Sequence, residues 1–326
     1  MRKNASLKRA AIFGVILILV LVAMIGGLRM WESTVSYSGD EAPIASKTII
    51  RDGAAYFPRQ DITVILAMGI DETGPVQSSG SYRNYGESDA VILLILDHTN
   101  ENYRILCLNR DTMVHMPVLG LGGKRAGTLY GQLALSHTYG EGLEDSCENT
   151  RTTVSDMLNG ITIDHYVAMN IDAIAIVNDA VGGVTVNVTD DFSIVDEAIP
   201  MGSVTLKGRQ ALSFVQTRMG VGNQLNISRM GRHTEYMKGL MRALTQKIQE
   251  SDTFTMNLYD QMSEYVVSDC SVTVISSLLK RCGEYTLEEI LTPEGTNVLG
   301  EEYYEFYVDE DKLDDLVLRL FYAKKK

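Results

Sequence analysis

The sequence lacks the marks of most catalytic classes. It has no G-x-S-x-G, no H-E-x-x-H and no dinucleotide-binding glycine pattern. The glycine-rich stretch 118–128, with Lys124 and Arg125, lacks the spacing of a nucleotide phosphate loop. Only five histidines occur, scattered along the chain, and His137 and His165 read as packing or capping residues rather than catalysts. The four cysteines, Cys107, Cys147, Cys270 and Cys282, form no C-x-x-C pair, so spacing indicates no structural metal. There is no internal repeat, and the glycosylation triplet Asn226-Ile-Ser228 is too weak a pattern to use.

Acidic residues are absent before Glu32, whereas Arg2, Lys3, Lys8 and Arg9 precede the apolar run Ala10–Leu28, which Arg29 closes. That run suits one bilayer-spanning helix, and the basic flank places its N-terminal side in the cytoplasm. A cleaved signal peptide is the alternative, but Met24, Ile25 and Leu28 fit a cleavage site poorly. Five of the 29 Lys and Arg lie in residues 1–29, which leaves 24 against 42 acidic residues in the rest, a net of −18. So acidic an exterior argues against nucleic acid as a partner. An exterior location permits disulfides, with Cys270 and Cys282 the better pair because they flank a short expected helix; four buried thiols are the alternative.

What is present is an alternation of strands and helices. Residues 30–60 read as a linker with a few strand-like pieces. Ile62–Met68 and Ala90–Leu96 are apolar runs of buried strands, and Tyr103–Leu108 is a third. Their ends deliver Asp71, Asp89 and the pair Arg110-Asp111, which antiparallel pairing can gather at one sheet edge. Helices are expected over 130–139, 148–158 and 172–181, with strands at 165–170 and 184–188. The fold class that follows is α/β: a mixed central β-sheet flanked by helices, preceded by one N-terminal transmembrane helix. Segments divide as 1–9 cytoplasmic, 10–28 anchor, 29–60 extracellular linker, 61–250 the main α/β domain and 251–326 a C-terminal part packed on it.

Gly208–Arg232 concentrates positive charge. Ala211, Leu212 and Val215 share a helical apolar face with Phe214 beside them, and Arg218 leaves that helix before Gly220 and Gly222. Arg229 and Arg232 follow at the start of a longer helix, so three guanidiniums flank one loop. Such forks suit phosphate or carboxylate, although a solvated basic turn is equally consistent with the spacing. Carboxylates and arginines at element ends together suit a magnesium-bound phosphate or pyrophosphate. Met230, Met237, Leu240 and Met241 on that helix could line an apolar slot, which the resemblance described next would make a prenyl slot; plain core is the commoner use of such spacing.

The succession I-L-A-M-G-I-D (65–71), S-D-A-V-I-L-L-I-L-D (88–97), I-L-C-L-N-R-D-T (105–112), L-A-L-S-H-T-Y-G (133–140), I-D-H-Y-V (163–167), V-G-G-V-T-V (181–186), G-R-Q-A-L-S-F-V-Q-T-R (208–218) and S-R-M-G-R-H (228–233) resembles the LytR-CpsA-Psr family. The resemblance implies an extracellular, membrane-held enzyme. It would transfer a teichoic-acid or capsule glycopolymer from an undecaprenyl-pyrophosphate carrier to peptidoglycan, with Mg2+ (or Mn2+) assisting. Carried over by position, Asp71 and Asp89 match metal-site aspartates. Arg83 matches the basic loop residue, and Arg110, Arg218, Arg229 and Arg232 match pyrophosphate-holding arginines. Asp111 is placed to orient Arg110, and Asp89 or Asp111 could act as base. Gln132, Gln216, Asn226 and His233 depart from the residues common there and make the pocket less cationic. A polyprenyl-pyrophosphate hydrolase and a non-catalytic envelope-binding or regulatory module remain alternatives.

Overall fold

The computed structural model describes residues 48–217, 220–222, 226–251, 254–270, 285–301 and 303–324. In chain order the strands are β1 (Ile49–Arg51), β2 (Ala54–Pro58), β3 (Ile62–Ile70), β4 (Ser88–Asp97), β5 (Asn102–Leu108), β6 (Met113–Leu119), β7 (Arg125–Gln132), β8 (His165–Asn170), β9 (Val184–Val188), β10 (Gly202–Leu206), β11 (Val266–Ser268), β12 (Thr286–Leu291), β13 (Gly295–Leu299), β14 (Tyr304–Val308) and β15 (Tyr322–Lys324). The helices are α1 (Glu144–Met157), α2 (Ala173–Ala180), α3 (Arg209–Gln216), α4 (Asn226–Glu250), α5 (Phe254–Met262) and α6 (Glu310–Phe321).

A six-stranded mixed sheet, in the order β11-β8-β3-β4-β5-β12, forms the middle layer. Strands β3, β4 and β5 pair antiparallel, whereas β8 runs parallel to β3 and β12 parallel to β5. The apolar runs of β3 and β4 need no polar alternation because both sheet faces are covered. Val64, Leu66, Met68, Val91, Leu93 and Ile95 enter one core, with side chains of α1, α6 and β6. Their neighbours Ile65, Ala67, Leu94 and Leu96 enter the other, under α2, α3, α4, α5 and the β9–β10 hairpin. Gly239 lets α4 lie directly on β9, since a Cβ there would run into the Thr185 carbonyl.

Three expectations change. Residues 49–58, read as linker, form β1 and β2, which pair with each other and with the terminal β15. Residues 130–139, read as one helix, split into the end of β7 and a 3-10 turn at Leu133–Thr138, because β6 supplies a pairing partner that propensity does not reveal. The C-terminal part contributes both edge strands, β11 and β12, to the central sheet itself. The anchor expected at 10–28 lies outside the described residues, and no helix among those described is long and apolar enough to cross a membrane.

Candidate active site at one end of the sheet

Antiparallel pairing brings the end of β3, the start of β4 and the end of β5 to one edge. Asp71 follows β3, and its backbone N–H donates to the Glu87 carbonyl at 2.9 Å. Beyond β5, Asn109 turns the chain: its carbonyl accepts from Thr112 N–H at 3.0 Å, and its Oδ1 from Asp111 N–H at 3.0 Å. This turn aims Arg110 back across the sheet end. Its guanidinium pairs with both Asp89 and Glu87, and Nε lies 3.5 Å from Asp111 Oδ1. Side-chain exposure falls from 37% at Glu87 through 17% at Asp89 and 14% at Arg110 to 6% at Asp111, so the cluster opens to solvent on the Glu87 side. Glu87 was missed by sequence reasoning, which looked only from Ser88-Asp89 onward; β4 begins at Ser88, and Glu87 immediately precedes it. The signal was available, because residues two apart on an extended segment share a face and Asp89 was already singled out.

Two glutamines occupy positions noted as departures. Gln132 donates from Nε2 to Asp111 Oδ1 at 3.2 Å and to the Tyr304 carbonyl at 2.8 Å, tying β7 and β14 to the Arg110-Asp111 segment. Gln216, at the end of α3, donates to Asp71 Oδ1 at 3.0 Å. Beside this edge Tyr130, Tyr303, Tyr304 and Tyr307 are exposed. Among the described residues, this edge carries four carboxylates: Glu87, Asp89 and Asp111 around Arg110, and Asp71 beside them. Such an excess repels a free anion and attracts a cation. Asp71 and Asp89, hard oxygen donors from adjoining strand ends with access to solvent, fit Mg2+, which takes one or two carboxylates together with phosphate oxygens and water.

The β3–β4 loop is fixed from below. Asn84 is buried and donates from Nδ2 to the His137 and Gly140 carbonyls at 2.9 Å each. His137 Nδ1 lies 2.8 Å from the Gly86 carbonyl, which makes it the protonated nitrogen of a neutral ring. Burial pushes the His137 pKa down to about 4. Exposed Arg83 stacks its guanidinium 4.2 Å from the centre of the Tyr139 ring at the rim of this loop.

Of the second arginine group, Arg232 is the one whose surroundings are described. Arg218 lies outside the described residues, and of Arg229 only its position in the first turn of α4 is described. Arg232 is 5% exposed. It donates to the Phe214 carbonyl at 3.0 Å and to the Thr217 carbonyl, and pairs with Asp190 at 2.9 Å. A cavity of about 350 Å³ opens beside it, lined mainly by polar groups including Asn187, Thr189, Asp190 and Glu235. Of the residues considered for a prenyl slot, Leu240 is core and Met237 half-buried. His233 Nε2 lies 2.9 Å from the Val215 carbonyl and helps dock α4 on α3.

Cys107, Cys147 and Cys270 are free thiols, and Cys282 lies outside the described residues. Burial pushes the Cys107 thiol up to about 11 and Cys147 well above its ordinary value. His165, at the far end of β8, is held up to about 10, chiefly by Asp269.

Comparison with known proteins bears on the fold and the family. Polyisoprenyl-teichoic acid–peptidoglycan teichoic acid transferase TagU of Halalkalibacterium halodurans is 28% identical over 315 residues, covering 94% of this chain and 95% of that protein. The protein of the same name from Bacillus licheniformis is 23% identical over 302 residues, covering 89% and 87%. The fold is shared with a structure of TagT bound to LI-WTA, at TM-score 0.58 and 22% identity over 84% of this chain and 95% of that one. It is also shared with protein gbs0355 of Streptococcus agalactiae, at TM-score 0.64 and 19% identity over 80% and 86%. The LytR_cpsA_psr family model matches residues 35–320, and the chain belongs to that family.

Proposed function

We propose that this chain is a membrane-anchored extracellular phosphotransferase. It would move a teichoic-acid or capsule type glycopolymer from an undecaprenyl-pyrophosphate carrier to a hydroxyl of peptidoglycan. The observation that carries the reading is Arg110 held among Glu87, Asp89 and Asp111 beside Asp71. The relatives' transferase names and the apolar run at 10–28 support it.

In this reading the acceptor oxygen forms a bond to the glycan-side phosphorus while the bridging P–O bond breaks, and polyprenyl phosphate leaves. Negative charge grows on the leaving oxygen, and a fixed guanidinium opposes it without reorganising. Arg110 is that group, because its three carboxylate neighbours fix its fork. Asp89 takes the hydroxyl proton, since its carboxylate is reachable, while Asp111 is closed in by Gln132 and serves to orient Arg110. Asp71 and Asp89 would hold Mg2+, which when bound supplies positive charge against the phosphate oxygens. The exposed tyrosines beside Gln132 offer flat faces to the acceptor's sugar rings.

The Gln216–Asp71 hydrogen bond favours a second reading, in which the edge binds a lipid pyrophosphate without turnover. Labelled lipid-pyrophosphate glycan incubated with and without peptidoglycan fragments separates the possibilities. Label joined to peptidoglycan is the expected result. Release to water alone makes the protein a hydrolase, and saturable binding with neither product makes it a binding module.

A further inference from the structure

A second cluster of ligating side chains lies at the opposite end of the sheet. β8 and β11 pair antiparallel with Ser268 opposite Val167, and continuing that register sets Cys270 across from His165. Asp269 lies between, fixed where its Oδ1 accepts Tyr166 N–H at 2.8 Å. Ser268 donates to the Tyr166 carbonyl at 2.8 Å and accepts from Cys270 N–H at 3.1 Å, so the turn after β11 is anchored on both sides. One imidazole nitrogen, one carboxylate oxygen and one sulfur therefore lie within 4.8 Å of one another.

We propose that His165, Asp269 and Cys270 form a binding site for a zinc-class cation. Nitrogen, oxygen and sulfur together are the donor set of a borderline-soft ion, and a thiolate selects against Mg2+. A tetrahedral site with bonds of 2.0–2.3 Å holds its ligand atoms about 3.3–3.8 Å apart. The observed separations, within 4.8 Å, reach beyond that spacing, so binding would draw the three side chains inward. Three protein ligands leave a fourth position for water. His165 and Asp269, each 24% exposed, give the ion an entry path, while Cys270 at 2% exposure forms the floor. Arg151, 3.5 Å from Asp269 Oδ2, balances the carboxylate on its outer oxygen. An ion there takes sulfur as thiolate and imidazole through a neutral ring nitrogen, so affinity falls as pH falls. The ion would clamp edge strand β11 onto β8. β8 runs parallel to β3, with His165 level with Ile65 and Asn170 with Ile70. Five residue steps separate the two levels, roughly 17 Å at ~3.3 Å per step, so this site is distinct from the edge at Asp71.

The test uses the full-length protein, reduced and stripped of metal, titrated with Co2+ and then Zn2+. Expected are one Co2+ per chain with a thiolate-to-cobalt charge-transfer absorption, displacement by Zn2+, and a Zn2+-dependent rise in Tm. Cys270→Ser should abolish the charge-transfer band. His165→Ala and Asp269→Asn, at partly exposed positions that keep the fold, should weaken Zn2+ by more than the ~10–100-fold that losing an outer partner costs. Cys107→Ser should leave all readouts unchanged. Absence of saturable binding overturns the proposal. So does a thiolate band that survives Cys270→Ser, or peptide mapping that finds Cys270 bridged to Cys282 in the native protein.

Discussion

Two arginines in this molecule carry the same charge into opposite situations. Arg110, at the solvent-facing end of the sheet, is surrounded by carboxylates that outnumber it. Arg232, on the buried face of α4, is surrounded by two backbone carbonyls and one carboxylate. At the sheet end, among the described residues, the carboxylates outnumber the one guanidinium they surround. On the buried face of α4 the donors of the guanidinium are matched by the protein itself, so the residue joins α3, α4 and the segment at Asp190. Proximity to a basic motif in sequence therefore says little about role; the partners decide it.

The sharpest way to break this contrast is Arg110→Lys. An ammonium keeps the charge but cannot bridge several carboxylates as a planar fork does. Transfer of labelled glycan should fall ~100-fold or more, the usual loss when a developing-charge contact goes, with circular dichroism and Tm near wild type. Full activity in this variant would remove Arg110 from the mechanism. Asp71→Asn and Asp89→Asn come next. Each should raise the Mg2+ concentration for half-maximal transfer by about tenfold or more, because one charge near a cation at a protein surface is worth ~1–4 kcal/mol. Unchanged Mg2+ dependence in both would move the cation elsewhere.

Arg232→Met tests the other side. It should cost about 2–3 kcal/mol in urea unfolding, below the ~3–5 of a fully enclosed pair because Asp190 keeps 23% exposure. Its activity should recover at temperatures where the fold is intact. A stable but inactive Arg232→Met would return this arginine to the substrate.

His137 extends the comparison to the packing under the catalytic loop. Its folded pKa of about 4 lies below the ordinary 6.5, so the unfolded chain binds the proton first as pH falls. Stability is then complete above about pH 6.5 and is lost as pH drops toward 4. Between pH 7 and 5 the loss attributable to this ring is about 2 kcal/mol. His137→Asn, which keeps a donor for the Gly86 carbonyl, should flatten that part of the pH–stability curve; an unchanged slope would place the titration elsewhere. The smallest effect belongs to Arg51→Ala. Its ion pair with Asp315 is exposed, at 39% and 65%, and such pairs contribute ~0–1 kcal/mol, with no change in transfer expected.

The candidate edge was partly legible because strand ends are local events. An apolar run that stops at Asp71, one that starts after Asp89 and one that stops before Arg110 fix three termini, and antiparallel pairing does the rest. Glu87 escaped because it lies just before β4, outside the apolar run that marked the strand. Gln132 and Gln216 were visible only as departures from a pattern; their hydrogen bonds to Asp111 and Asp71 required β7, β14 and α3 to be in place.

What the sequence by itself determined is the layered α/β plan, since periodicity and the lengths of apolar runs are set by backbone geometry that every residue carries locally. Only the tertiary structure decided which charges are balanced. His165 and Asp269 are 104 positions apart, and Arg232 and Asp190 are 42 apart. No local rule links such pairs, because the free energy that joins them comes from the packing of whole strands and helices between them.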